Sequence, residues 1–387
     1  MNSQNECLGR RIRVALVGGG GDGFIGKVHA IASTMDRRAE LVAGALSSNP
    51  ETARTSAVAM GIGKERGYES FEALIAGELA CDESERIDLV AIATPNHTHY
   101  PFASAALKAG FHVVCDKPLT TKLTDAEALA SEVHTTGKIL ALTHNYSGYP
   151  LIRQARAMVA SGEIGDVIAV RVEYLQGWKQ LQTTGTPKRG AWKSNPELAG
   201  PAGTMADVGT HAFHLARYVT CFQPERLTCH MRQFCDESLD DYGLVTLSGA
   251  GGPLMSVCVS QVSHGRLNDL RIDVDGTKGA ISWRQEEPNS LIVRRQGQPL
   301  QVYERHPAAE HMHDAERSAC RIPPGHPEAF YEAFANIYCG VYDDIVSLAA
   351  SRPLQQNYPT VQDGVEGVKF IERCVQSAAA DAEWVEF

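Results

Sequence analysis

Ile12-Arg13-Val14-Ala15-Leu16-Val17-Gly18-Gly19-Gly20-Gly21-Asp22-Gly23-Phe24-Ile25-Gly26 is the stretch that decides the fold. A short apolar, β-branched run stops at four glycines. Beyond Gly26 the period changes, and Val28, Ile31, Ala32 and Met35 recur at helical spacing. Strand, glycine turn and helix in that order open a nucleotide-binding unit. Only glycine lets main-chain N–H groups close on a pyrophosphate, and the helix N-terminus beneath adds about half a positive charge. The turn fits G-x-G-x-x-G in two registers, Gly18-x-Gly20-x-x-Gly23 and Gly21-x-Gly23-x-x-Gly26. Phe24 and Ile25 open the helix and join these glycines as candidate dinucleotide contacts.

Reading outward, strands and helices alternate. Leu41–Leu46, Leu89–Ala93, His112–Cys115 and Ile139–Leu142 are apolar strand runs. Helices are expected over Pro50–Met60 and about His97–Ala109, and another opens with Thr124 as N-cap and Glu127 three residues on. Unbroken apolar strands separated by helices make a parallel sheet covered on both faces. The fold class is therefore α/β: a doubly wound parallel sheet over residues 11–145, then a second domain over 146–387. From Val167 the texture alternates, Ile168, Val170, Val172 and Tyr174 against Ala169, Arg171 and Glu173. With 254–262, 270–274, 280–283 and 291–294 this predicts a large, open, mostly antiparallel sheet. A helix after Asp207, a long one over 327–348 and a last one over 361–378 complete the chain, the last free to pack on either domain.

The chain has 387 residues, room for two cores. Its net charge of −10 disfavours a life on nucleic acid or an anionic membrane. The segment Met1–Cys7 has no apolar h-region and no uncharged run of about 20 residues occurs, so neither a secretory signal nor a membrane span is expected, and the location expected is cytoplasmic. The 10 cysteines form no C-x-x-C pair, and buried or half-buried reduced thiols are expected.

Polar groups gather at strand ends. The second strand ends at Ser47 with no carboxylate to read a ribose and no arginine to pair a 2′-phosphate. NAD and NADP both stay open, with NAD favoured because a phosphate without a cation is poorly compensated. Thr94, Asn96 and His99 follow the third strand and offer polar groups to the nicotinamide side of the crevice, and Asp116-Lys117-Pro118 follows the fourth, with Asp116 a further candidate cofactor contact. A lysine there points into the crevice where ligands bind, and burial would tune it for acid–base work. Asp207 and His211 stand four apart in Asp207-Val208-Gly209-Thr210-His211, a carboxylate one turn from an imidazole, as a proton-abstracting histidine needs. Trp178, Trp192 and Trp283 are candidates for stacking on a sugar face. His311 and His313 look faintly like a metal pair but lack a third ligand, so no metal is expected.

These motifs, in this order and spacing, resemble the glucose–fructose oxidoreductase / inositol dehydrogenase / rhizopine-catabolism (Gfo/Idh/MocA) family of NAD(P)-dependent oxidoreductases. The resemblance runs from Arg13 to about Glu386. It is carried by the glycine turn ending Gly26-Lys27-Val28-His29, by Thr94-Pro95-Asn96-x-x-His99, by Asp116-Lys117-Pro118 in place of Glu-Lys-Pro, and by Asp207-x-Gly209-x-His211. It implies a Rossmann domain followed by an α/β domain that binds substrate and forms a homodimer or homotetramer. It implies His211 as general base, Lys117 polarising the reacting oxygen and contacting the nicotinamide ribose, and Asp207 orienting the pair. Asn145 is implied as a cofactor contact. Tyr146, Trp178, Trp192 and Lys193, the last where relatives carry Arg, are implied as substrate contacts beside Lys117, Asp207 and His211.

The activity implied is oxidation of a secondary hydroxyl on a sugar, glycoside or cyclic polyol by hydride transfer. The segment 174–178 and the Gly325-His326-Pro327-Glu328 turn resemble the levoglucosan and glycoside 3-dehydrogenase branch, which points to carbon 3 of a pyranoside. Two alternatives are an NAD-dependent glycoside hydrolase working by transient oxidation and elimination, and a non-catalytic dinucleotide-binding regulator.

Overall fold

Apolar runs without alternation must be buried on both faces, and the structure, a computed structural model describing residues 8–179, 191–235 and 238–387, uses them that way. Met1–Cys7, including one of the ten cysteines, lies outside the described residues. The described chain divides into two compact units. The first comprises residues up to Thr120, Thr124–Thr143 and Phe334–Val365; the second comprises Thr121–Leu123, His144–Ala333 and Glu366–Phe387. The change expected at 145/146 thus falls at Thr143/His144, while the stretch 334–365 returns to the first unit.

In the first unit β1 (Ile12–Gly18), β2 (Ala39–Ala45), β3 (Leu89–Ala93), β4 (His112–Cys115) and β5 (Leu140–Leu142) form a parallel sheet in the order β2-β1-β3-β4-β5. Every residue of β3, β4 and β5 is buried. The helices are α1 (Phe24–Thr34), α2 (Pro50–Ala59), α3 (Phe71–Ala80), α4 (His99–Lys108) and α5 (Leu123–Thr136). Register sets what lies side by side at the carboxyl edge. Gly18 pairs with Ala93, Ile92 with Cys115, and Cys115 with Leu142. The glycine turn, Thr94, Asp116 and Thr143 therefore leave neighbouring strands together.

Some expectations shift. Helix α5 begins at Leu123, so Thr124 sits inside its first turn and not at the N-cap. On α1 the buried stripe is Val28, His29, Ala32 and Ser33, whereas Ile31 is exposed. A polar residue thus takes a core position, for a reason given below.

The second unit is built on a nine-stranded sheet. Its strands are β6 (Val167–Leu175), β7 (Pro224–Arg232), β8 (Tyr242–Gly249), β9 (Leu254–Ser260), β10 (Asp269–Gly276), β11 (Gly279–Arg284), β12 (Ser290–Arg295), β13 (Gln301–Glu304) and β14 (Val385–Glu386), in the order β13-β12-β11-β10-β6-β9-β8-β7-β14. Only β6 and β9 run parallel; the other neighbours are antiparallel. The remaining helices are α6 (Pro150–Ala160), α7 (Pro196–Ala199), α8 (Thr210–Thr220), α9 (Asp314–Arg317), α10 (Phe330–Ala349) and α11 (Val361–Ala379). Alternate residues of β6, β8, β9 and β10 face a core with α6, α8 and the Phe370–Cys374 part of α11. Phe213 and Phe370 stack there, ring centres 4.3 Å apart. The opposite face carries the exposed Arg171 and the half-buried Asp275, Arg271 and Glu173, in the Arg171–Asp275 and Arg271–Glu173 ion pairs across β6 and β10. Trp283 belongs to the core at 2% exposure, its indole N–H on Pro288 O, so it is no sugar platform. Cys221 is exposed, against the expectation of buried or half-buried thiols.

Candidate functional site

Close packing settles the roles of the glycines. Gly26, in the first turn of α1, lies so close to Gly19 that a Cβ on either would meet the other's backbone. That makes Gly26 the helix-packing glycine. Gly18 turns the chain at φ +82°, and a side chain there would strike Ala93 O at 2.5 Å. Gly20 donates its N–H to Leu46 O, and a Cβ there would stand 2.6 Å from that same oxygen; Gly21 donates to Ser56 Oγ. Helix α1 starts behind Gly23 with no side-chain cap and no acidic residue in its first turn. Such an N-terminus suits an anion. After β2, Ser47 Oγ accepts from Asn49 N, and Asn49 caps α2 through Thr52 N. A hydroxyl thus stands where a ribose-reading acid is often found.

Behind that turn the first unit braces its strand ends. His29, 1% exposed, places Nδ1 2.6 Å from Tyr338 OH and Nε2 3.2 Å from Asp116 Oδ1. Thr143 donates to the same carboxylate oxygen at 2.5 Å. Burial works to raise the Asp116 carboxyl, but His29 and the Thr143 hydroxyl outweigh it and hold the group below its ordinary value. Asp116 therefore ties α1 to the residue before Lys117. His99 is fully buried, with Nδ1 2.8 Å from Pro118 O and Nε2 2.9 Å from Thr94 O. Burial pushes its pKa down, and with one N–H to give to the two carbonyls within reach it braces two strand ends beneath Thr94 and Lys117. Asn96 is buried and Thr94 half-buried beside it.

The second unit holds its chemistry differently. Asp207 lies in a π-helical turn, Met205–Gly209, that leads into α8, where His211 is the second residue. The single helix expected from Asp207 onward is thus two elements; π turns recur at functional sites. Asp240 secures the start of the turn, accepting from Gly203 N at 2.5 Å and Met205 N at 2.8 Å. The Asp207 oxygens accept from Lys193 Nζ at 3.0 and 2.9 Å and from Gln261 Nε2 at 2.8 Å. Thr204 Oγ1 donates to Gln261 Oε1 at 3.1 Å, which fixes the amide so that its NH₂ faces the carboxylate.

Around His211 the lining is aromatic and hydroxylic. Its ring meets Tyr146 edge-on at 5.0 Å and lies 6.3 Å from Tyr174. The two phenolic oxygens are 2.5 Å apart, and Tyr174 donates to Asn268 Oδ1 at 2.7 Å. Burial pushes both phenols up, so they stay protonated at neutral pH. Gln176 Nε2 joins Asn268 Oδ1, and Trp178 Nε1 donates to Gln176 Oε1. Trp192 is half-buried, 6.0 Å beneath Lys193 Nζ. His211 Nδ1 lies 3.4 Å from His144 Nδ1.

Asn145 is 3% exposed and its Nδ2 has no hydrogen-bond partner among the described residues. A buried orphan donor costs about 1–3 kcal/mol unless a ligand satisfies it. Gln261, Asn268 and His144 escaped sequence reasoning because each lies in a connection beside a strand, where no local pattern marks it. His313 pairs with Glu163 at 2.8 Å, and His311 packs on Tyr303. No helix among the described residues is long and apolar enough to cross a membrane.

Residues 12–144 match the profile described as oxidoreductase family, NAD-binding Rossmann fold, and residues 152–282 that of the GFO/IDH/MocA C-terminal domain. The uncharacterized oxidoreductase YfiI of Bacillus subtilis is 31% identical over 100% of both chains. Levoglucosan dehydrogenase of Pseudarthrobacter phenanthrenivorans is 27% identical over 73% of this chain and 76% of its own. An inositol dehydrogenase homolog from Azotobacter vinelandii, 34% identical, superposes with a TM-score of 0.93 in complex with NAD+, over 100% of both chains. In complex with NADH and myo-inositol its TM-score is 0.90, over 99% of this chain and 100% of that one.

Proposed function

The chain belongs to the GFO/IDH/MocA family of NAD-binding oxidoreductases, and from that premise we propose that it oxidises a secondary ring hydroxyl of a cyclic polyol or pyranoside. The observation that carries the reading is the lining of the second unit. Two phenols kept protonated, the carboxamides of Asn268, Gln176 and Gln261, and the Asp207 carboxylate engaged by Lys193 form one hydrogen-bonded chain, with the His211 imidazole edge-on against its first phenol. Dense donors and acceptors beside aromatic faces match a ring carrying several hydroxyls. Likeness to an inositol dehydrogenase homolog and to levoglucosan dehydrogenase supports the same class.

NAD, when bound, accepts the hydride. Gly18, Gly20, Gly21, Gly23 and the first residues of α1, Phe24 and Ile25, would hold its pyrophosphate. Ser47 would face a ribose, and Thr94, Asn96 and the orphan amide of Asn145 would meet the rest of the cofactor. His211 takes the hydroxyl proton, and Lys117 polarises the reacting oxygen. Asp207 accepts from Lys193 and Gln261 and so offers a fixed acceptor to a neighbouring substrate hydroxyl. His99 and Asp116 act from behind, as braces.

The test is a panel of cyclic polyols, hexoses and glycosides with NAD and with NADP, read by reduced-nicotinamide absorbance. Absorbance growth with myo-inositol or a pyranoside is the expected result. Release of free sugar from a glycoside without added NAD would replace it with the hydrolase reading, and silence across the panel would overturn both.

A further inference from the structure

His144, His211 and His214 form a buried imidazole cluster, 1%, 8% and 6% exposed. His144 stacks on His214 at 4.3 Å and 9°, and meets His211 edge-on at 87° with the two Nδ1 atoms 3.4 Å apart. Burying an imidazole among rings is unfavourable unless its nitrogens are bonded, so packing alone would be better served by Phe or Leu at position 144.

A neutral imidazole carries one N–H and one lone pair. Two facing Nδ1 atoms can therefore bond in only two ways. If His211 donates, its Nε2 is bare and the ring is a base. If His144 donates, the His211 proton sits on Nε2 and the ring is an acid. We propose that His144 is a positioning residue: it fixes the base-competent tautomer of His211 and receives the Nδ1 proton when Nε2 takes up the substrate's. This rests on the reading of His211 as base.

On oxidation the substrate O–H bond breaks and a His211 Nε2–H bond forms. The His211 Nδ1–H bond breaks and a His144 Nδ1–H bond forms, while the hydride leaves with its electron pair to NAD+. His211 ends neutral and the proton's charge rests on His144; reduction runs the same steps backward. The titratable groups facing the pair are His214 of α8, Tyr146 of the turn after β5 and Tyr174 of β6, with Asp207 and its partner Lys193 acting at longer range. Burial keeps both phenols protonated.

The deciding measurement is ring ¹⁵N spectroscopy of the histidine-labelled protein without substrate, paired with pH profiles on myo-inositol and NAD. In the parent near pH 8, His211 should carry its proton on Nδ1. In His144→Phe, which keeps a ring for the stack, His211 should become a mixture of tautomers. There kcat should fall about 10–100-fold with KM for myo-inositol and NAD within about threefold, and the acid limb of kcat/KM should move. His144→Gln, whose carbonyl can still accept, should restore the tautomer and only part of kcat. A His211 proton on Nε2 in the parent, or kcat within about threefold in both variants, overturns the proposal. If His211→Ala itself stays active, the assignment of the base falls first, which separates the two failures.

Discussion

The two units hold their polar groups by different means. In the first, main chain sets the glycine turn and a carbonyl takes the His99 N–H, with one side-chain brace, His29 and Thr143 on Asp116, behind them. In the second, side chains hold side chains, with Asp207 on Lys193 and Gln261 and His211 beside His144. Main-chain geometry depends on which residues stand next to each other in sequence, so it writes a motif. The side-chain lattice joins positions 54 and 67 residues apart and writes none.

Four substitutions would break or sharpen that contrast. The largest effect belongs to His211→Ala, expected to lower turnover about 10²–10⁴-fold, the usual range for a general base. NAD affinity, measured by titration, should hardly change; a matching loss of affinity would mean His211 serves the cofactor instead. Next is Gly26→Ala, which puts a methyl into the backbone of Gly19. Overpacking of this kind costs about 1–3 kcal/mol, and a lower Tm with a raised KM for NAD is expected. An unchanged KM would show that the Gly19–Gly26 contact does not shape the cofactor turn.

Gln261→Leu removes one donor from the Asp207 carboxylate while keeping volume. A hydrogen bond to a charged group contributes about 1.5–3 kcal/mol, so kcat/KM should fall about 10–100-fold with NAD binding unaffected. Asp116→Asn should have the smallest effect. Its carboxyl is held below the ordinary value of about 3.9, so the stability it contributes is fully present above that pH and is lost as pH falls through the lower folded value. Urea denaturation should show the variant less stable than the parent at neutral pH, with the gap narrowing below about pH 4. A gap that stays constant on acidification would mean the carboxylate charge adds nothing to the brace.

Particular elements show where legibility stopped. The five parallel strands and β6 were readable because unbroken apolar runs and strict alternation each admit one period. Strands β7 and β8 and helix α6 escaped because exposed polar residues interrupt their apolar pattern. The segment 174–178, singled out for its resemblance to one branch of the family, supplies Tyr174, Gln176 and Trp178 to the lining. Trp283 misled because its size suits a sugar face and a core equally well, and only its neighbours decide.

The sequence alone determined the order of strand, turn and helix and the glycine turn between them, and it marked Lys117, Asp207 and His211 as candidates, because those motifs are written by neighbours a few residues away. Only the tertiary structure decided what surrounds them. It placed His29 under Asp116, aimed Gln261 at Asp207 and set His144 against His211. These contacts close large loops, and which loop closes on which is fixed by the register of a folded sheet and by no local pattern.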